Sequence, residues 1–215
     1  MSTAVDTKEG KLILDSHKLS YHMDRVQAWE SGERIAPISV DMALTRACGA
    51  MCTFCYAMVQ ESQERSSVKT PVALKLVDDF ERLGIRSVSL VSDGESTLSP
   101  AYVPFIKHAY DAGIDVGNGT NGWEWEPEKI EQVLPYLTWV RFTVAAGRPN
   151  TYADMMYKGP EHTQVFDRAM ANIKYAVDLK RRKSLPVTLG IQMVLMPGMG
   201  EEILPFAQLG IDLGV

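Results

Sequence analysis

The stretch Thr70–Val91, TPVALKLVDDFERLGIRSVSLV, decides the fold. It reads as helix, stop and strand in immediate succession. Thr70 stands as a cap, and Pro71 takes the first helical position, where its missing N–H is no loss and its fixed φ suits the helix. Val72, Leu76, Phe80 and Leu83 recur at helical spacing and are expected to form the apolar face. Gly84 supplies the left-handed residue that closes helices. Ile85–Val91 is short, apolar and bounded, as a buried strand should be.

The same unit recurs on both sides. A first strand is expected over Ile38–Leu44. Ser99-Pro100 opens a second helix, with Val103, Ile106 and Ala109 inward and a stop near Gly113. Ile114–Val116 reads as the third strand. Pro127 opens a third helix through Ile130 and Leu134, and Leu137–Val144 is the fourth strand. Thr163 can cap a fourth helix carrying Phe166, Met170, Ile173 and Val177 on one face. That helix ends in Lys180, Arg181, Arg182 and Lys183, cations suited to a helix C-terminus and read as a solvated end. Pro186–Met196 holds a fifth strand, and Glu201–Leu213 a fifth helix closed by Gly214. Five strand–helix units in series mean a parallel α/β fold with right-handed crossovers. A barrel-like sheet and an open doubly wound sheet both fit, and element order alone leaves the choice open.

Residues 1–36 read as a partly helical N-terminal extension, with Ser16 as cap and Leu19, Met23, Val26 and Trp29 on one face. The segment SGERIAP then breaks the pattern, and 37–215 forms the main domain. Val215 stands where a sixth strand should begin. The expectation is therefore a core domain that is C-terminally incomplete, its edge strand covered by a missing piece or partner.

Composition bounds the function. The 215 residues are 46% apolar and 23% charged, ordinary usage for a packed domain. With 22 Lys and Arg against 27 Asp and Glu, the formal charge is −5. That balance argues against a nucleic-acid backbone or an anionic membrane as main partner. No apolar run reaches the length of a membrane span. The opening MSTAVDTKEGK lacks the apolar core of a secretory signal.

The three cysteines, Cys48, Cys52 and Cys55, lie within eight residues. A set so clustered cannot staple distant segments. In a chain expected to be cytoplasmic, clustered thiols point to metal. The spacing C-x3-C-x2-C follows a strand end, where α/β folds place their chemistry. Three thiolates can hold three corners of a cubane, leaving the fourth open. Soft ligands suit iron–sulfur or zinc, and no nearby histidine completes a Cys3His site. A structural zinc loop and an iron–sulfur electron carrier or assembly protein stay open on spacing alone.

Cys48-Gly-Ala-Met-Cys52-Thr-Phe-Cys55-Tyr56 resembles the hallmark C-x3-C-x-aromatic-C of the radical S-adenosylmethionine (SAM) superfamily, with Phe54 in the aromatic place. The resemblance implies a partial (β/α)6 TIM-like barrel, of which five units are visible and the sixth strand is missing. It implies that Cys48, Cys52 and Cys55 ligate a [4Fe-4S] cluster and that SAM chelates the fourth iron. The reduced cluster would cleave SAM to methionine and a 5′-deoxyadenosyl radical, which takes hydrogen from a substrate. Tyr56 resembles the residue packing near the adenine. Ser92-Asp93-Gly94-Glu95-Ser96 resembles the family's G-G-E-P motif, with Gly94 and Glu95 matching and holding the SAM amino group. Asp93 and Ser96 depart from it. Thr120-Asn121-Gly122 resembles the T-N-G turn. Thr143 stands where the family has a serine for ribose or carboxylate, though Ala145 and Ala146 replace the usual acid. Gly190-Ile191-Gln192-Met193 loosely resembles the adenine motif, with Gln192 expected inside the barrel.

The resemblance covers residues 38–215 and extends to members with a SPASM or twitch-type C-terminal extension. It implies a peptide or small metabolite as substrate and an electron donor such as flavodoxin or ferredoxin. A glycyl-radical activase fits less well. Other residues have plainer readings. Asp93 is either a turn former or a substrate contact, His108 a surface side chain, and Met193, Met196 and Met199 core filler. Trp123 and Trp125 suit a surface-packed loop, and Arg148 and Lys158 are exposed loop cations.

Overall fold

A computed structural model describes residues 3–7, 10–14, 18–59, 66–91, 93–159 and 162–215. They fall into two units, Met1–Pro37 and Ile38–Val215. In the first, strands β1 (Thr3–Thr7) and β2 (Gly10–Leu14) pair antiparallel, Thr3 opposite Leu14. A 3-10 turn over Lys18–His22 leads into α1 (Met23–Glu30). The hairpin was not expected from the sequence. The helix also starts later than its apolar spacing suggested, with His22 at its N-cap. Ser16, the expected cap, lies outside the described residues.

The second unit is built on five parallel strands: β3 (Ser39–Asp41), β4 (Ser87–Leu90), β5 (Asp115–Thr120), β6 (Trp139–Thr143) and β7 (Thr188–Gln192). Their order across the sheet is their order in the chain, β3-β4-β5-β6-β7. The connections carry α2 (Thr70–Leu83), α3 (Tyr102–Asp111), α4 (Pro127–Val133), α5 (Pro149–Tyr157) and α6 (Thr163–Lys183), and α7 (Ile203–Leu213) follows β7. A doubly wound sheet reverses direction at a switch point; this sheet never reverses. The winding is that of a partial TIM-like barrel.

One face of the sheet packs on the helices. Val88 and Leu90 of β4 and Val140 and Phe142 of β6 point there and are buried, against Tyr102, Phe105 and Ile106 of α3 and Ile173 of α6. On α2 the buried face is set by Ala73 and Val77, whereas Val72 and Leu83 are exposed. The expected stripe is thus rotated by about one position. Ala73 and Val77 are small enough to let the helix approach the sheet, and Gly84 closes it at φ 71° as expected. Thr70 does not cap the helix: Lys69 is the N-cap and Thr70 the first helical residue.

β5 runs to Thr120, beyond the expected Val116, despite the weak strand formers Gly117, Asn118 and Gly119. Flanking strands on both sides impose the conformation. Gly117 has a packing reason: a β-carbon there would stand 2.2 Å from Cζ2 of Trp139, its register partner on β6. The segment after β6, read from the sequence as a loop, contains α5. Pro149 starts it, and Lys158 ends it at φ 60°.

Candidate active site

The C-terminal ends of the strands open onto a cavity of about 610 Å³. Cys48, Cys52, Cys55, Phe54 and Tyr56 line it from the loop after β3, and Gly94 and Glu95 from the loop after β4. Asn121, Thr143 and Gln192 come from the ends of β5, β6 and β7. Every residue marked from the sequence as a site candidate is therefore in one place.

The cysteine loop is held by backbone on both sides. At its start, Arg46 N–H donates to Ser66 O at 2.9 Å. Further on it lies on the last turn of α5, whose carbonyls lack helical partners. Met51 N–H donates to Met156 O at 2.8 Å and Thr53 N–H to Met155 O at 2.9 Å. The Cys52 thiol reaches Met156 Sδ at 3.5 Å. Helix α5 is thus the platform of the loop, a role that reading the segment as a loop missed. Its signal was present as Arg148-Pro149 opening a run with Tyr152, Ala153, Met156 and Tyr157 inward.

Gly94 takes φ 74°, and a β-carbon there would lie 2.2 Å from the Thr45 carbonyl oxygen. The backbone after β4 therefore passes directly against the root of the cysteine loop. Glu95 N–H donates to Ala47 O at 2.8 Å, locking the two loops together. The Glu95 side chain, 2% exposed, accepts from Asn121 N–H at 2.7 Å and from Thr97 N–H at 3.3 Å. It ties the loop after β4 to the end of β5. Burial pushes its carboxyl up to about 7, against the lowering effect of these amides. Ser96, in place of the motif's proline, accepts from Leu44 N–H at 3.4 Å. Asp93 pairs with Arg46 at 3.5 Å, across the same two loops. Ser92 lies outside the described residues.

Glu124 was missed. Its carboxylate accepts from Asn121 Nδ2 at 2.7 Å and from Gly49 N–H, between the first two cysteines, at 3.3 Å. A β-carbon on Gly49 would meet Glu124 Oε1 at 2.4 Å. Asn121 Nδ2 also faces Cys48 Sγ at 3.9 Å. The expectation of a surface-packed loop around Glu124 needs correcting. Trp125 is fully buried, and Trp123 stacks edge-on with Tyr157 at 5.8 Å. Arg148, expected as an exposed loop cation, is half exposed at the N-cap of α5 and pairs with Glu202 at 2.9 Å. His108 is a surface side chain paired with Asp78.

A family comparison is decisive for this geometry: the radical SAM superfamily matches residues 42–209. The chain belongs to the radical SAM superfamily. Members of this superfamily are enzymes and carry a [4Fe-4S] cluster and SAM. The fold is shared with Streptococcus suis SuiB bound to S-adenosylmethionine, at TM-score 0.68 and 15% identity over 92% of this chain and 43% of that one. SuiB bound to precursor peptide SuiA gives 0.68 and 16%, over 98% and 45%. Native anSMEcpe with bound AdoMet gives 0.63 and 14%, over 82% and 49%. The chain spans less than half the length of these proteins. No curated protein matches it by sequence.

The donor set suits the radical SAM cluster. Burial pushes Cys48 and Cys52 up to about 12, so as free thiols they stay protonated near neutrality. A bound metal reverses that, because a coordinating thiol is deprotonated by the cation. Among the described residues, no three His, Cys, Asp or Glu side chains gather around a single ion position. No helix is long and apolar enough to cross a membrane among the described residues.

Proposed function

We propose that this chain is the catalytic core of a radical SAM enzyme acting on a peptide. In this reading Cys48, Cys52 and Cys55 ligate a [4Fe-4S] cluster, and SAM lies across the strand ends against Gly94, Glu95, Asn121, Thr143 and Gln192. When bound, the pair supplies reductive cleavage of SAM to methionine and a 5′-deoxyadenosyl radical for hydrogen abstraction. The observation that carries the reading is the meeting of three thiols and the ends of four further strands in one cavity.

The chain's own residues do the positioning. Glu124 and the carbonyls of Met155 and Met156 fix the cysteine loop. Glu95 joins two strand ends beneath the ligand and leaves its remaining lone pairs for an ammonium group. Thr143 offers a hydroxyl at the rim. Phe54, half-buried on the core, and Tyr56, 56% exposed, place aromatic surface beside the thiols.

A peptide is favoured because SuiB, with which the chain shares its fold over 98% of its length, was solved with a precursor peptide. A second such structure, anSMEcpe, carries a Cp18Cys peptide. The test is anaerobic incubation of the cluster-loaded chain with SAM, reductant and a peptide library, with mass spectrometry for loss of two hydrogen masses or another closed-shell mass change. A modified peptide, dependent on SAM, supports the reading. Turnover of a small metabolite with every peptide untouched contradicts it.

A further inference from the structure

The cavity contains one cation whose chemistry the assignments above leave unused. Arg141 lies on β6, two positions before Thr143 on the same face, hence roughly 6.6 Å deeper. Both neighbouring strands present glycine at its level: Gly119 of β5 and Gly190 of β7 are its register partners. A β-carbon on Gly190 would meet nothing within 4 Å. Below, the guanidinium sits over the Trp139 ring at 5.7 Å. Gly190 leaves open space on one side of the head group, Val91 fills the side above Gly119, where a β-carbon would stand 2.8 Å from its Cγ2, and the indole supports the guanidinium from beneath.

The other charges lining the cavity are committed. Arg46 pairs with Asp93, and Glu95 accepts two backbone amides. Among the described residues Arg141 has no acidic partner, and its Nε is buried without a hydrogen bond. A buried guanidinium donor is costly when unpaired, and its planar fork matches a carboxylate. We propose that Arg141 is the anion-recognition residue of the cleft, taking the carboxylate of a bound ligand. The inference rests on the cleft being the cofactor and substrate site. Two sources offer that group: the methionyl carboxylate of SAM, or a carboxylate of the substrate.

Two binding titrations separate them, using the full chain and its Arg141→Gln variant. In the first, the cluster-loaded chain is titrated with SAM and with decarboxylated SAM. A loss of 10–100-fold for SAM in the variant, with no loss for the decarboxylated analogue, assigns the carboxylate of SAM. In the second, succinate serves as the probe, with and without the cluster. SAM affinity within twofold of wild type, with succinate binding weakened at least tenfold, assigns a substrate carboxylate. Gly190→Val keeps the guanidinium and narrows the space beside it, so it should weaken the same arm while melting as a folded strand variant. Arg141→Gln that melts like wild type and leaves both arms unchanged, or a wild-type chain insensitive to both probes, overturns the proposal. Failure to take up iron sinks the cluster assignment separately, since the cluster-free succinate arm does not depend on it.

Discussion

At the scale of single residues, the cysteines and Glu95 carry different burdens. Cys52 sits between the other two on a loop whose backbone is held elsewhere, so its thiol is dispensable for folding. Cys52→Ala should drop iron from about four per chain to near zero after reconstitution, with the circular dichroism spectrum unchanged. Full iron in that variant would contradict the ligand assignment. Glu95 has a native value near 7 against an ordinary 4.5, with burial the main cause. Its folded form therefore binds more protons than the unfolded chain between these values. Its contribution to stability is fully present below 4.5 and is lost as pH rises through 7. The cluster-free chain should lose stability between pH 5 and 7.5, by an amount on the order of 3 kcal/mol. Glu95→Gln should flatten that loss. Parallel melting curves for the two proteins across the range would show that Glu95 does not titrate there.

At the scale of elements, what joins them decides the site. Gly94 reads as a SAM residue by its motif, yet its geometry already demands glycine: φ is 74°, and a β-carbon there would stand 2.2 Å from the Thr45 carbonyl oxygen of the neighbouring loop. Gly94→Ala should cost about 2–4 kcal/mol in denaturant unfolding of the cluster-free chain. An unchanged midpoint would mean that the loops have room to part. Glu202, at the foot of α7, is buried. Its carboxylate accepts from Gly147 and Arg148 N–H at 2.9 and 3.1 Å, from Arg148 Nη1 at 2.9 Å and from Thr151 Oγ1 at 2.8 Å. Burial pushes it up, but these four donors outweigh burial and hold it below its ordinary value. Its stabilisation is thus present above pH 4.5 and lost in more acid solution. Glu202→Ala should cost about 2–4 kcal/mol at pH 7, moderated because Arg148 is half exposed. The cost should shrink below pH 4. A pH-independent difference would assign the loss to packing alone. Neither partner can be paired from the sequence, because the contact spans 54 residues and depends on α5, whose stretch reads as loop.

At the scale of the whole molecule, the strand–helix alternation was legible because each unit carries its own caps, stops and apolar period. The direction of winding was not, since it lives in strand order, which is a long-range property. The ten candidate residues were legible as types at strand ends. What held them there was not: Glu124 against Gly49, Glu95 between two amides, and α5 beneath the cysteine loop are tertiary contacts without a local pattern. The N-terminal hairpin escaped because β1 and β2 are short and lack a strong alternation. All of these parts converge on one claim, that the cavity at the strand ends holds a reducible cluster together with SAM. The most direct measurement is anaerobic reconstitution, dithionite reduction with SAM, and chromatography for 5′-deoxyadenosine alongside iron and sulfide analysis. Iron and sulfide near four each per chain, with 5′-deoxyadenosine formed only when SAM and reductant are both present, is the predicted result. A chain that takes up zinc instead, or a full cluster that never cleaves SAM, would contradict it.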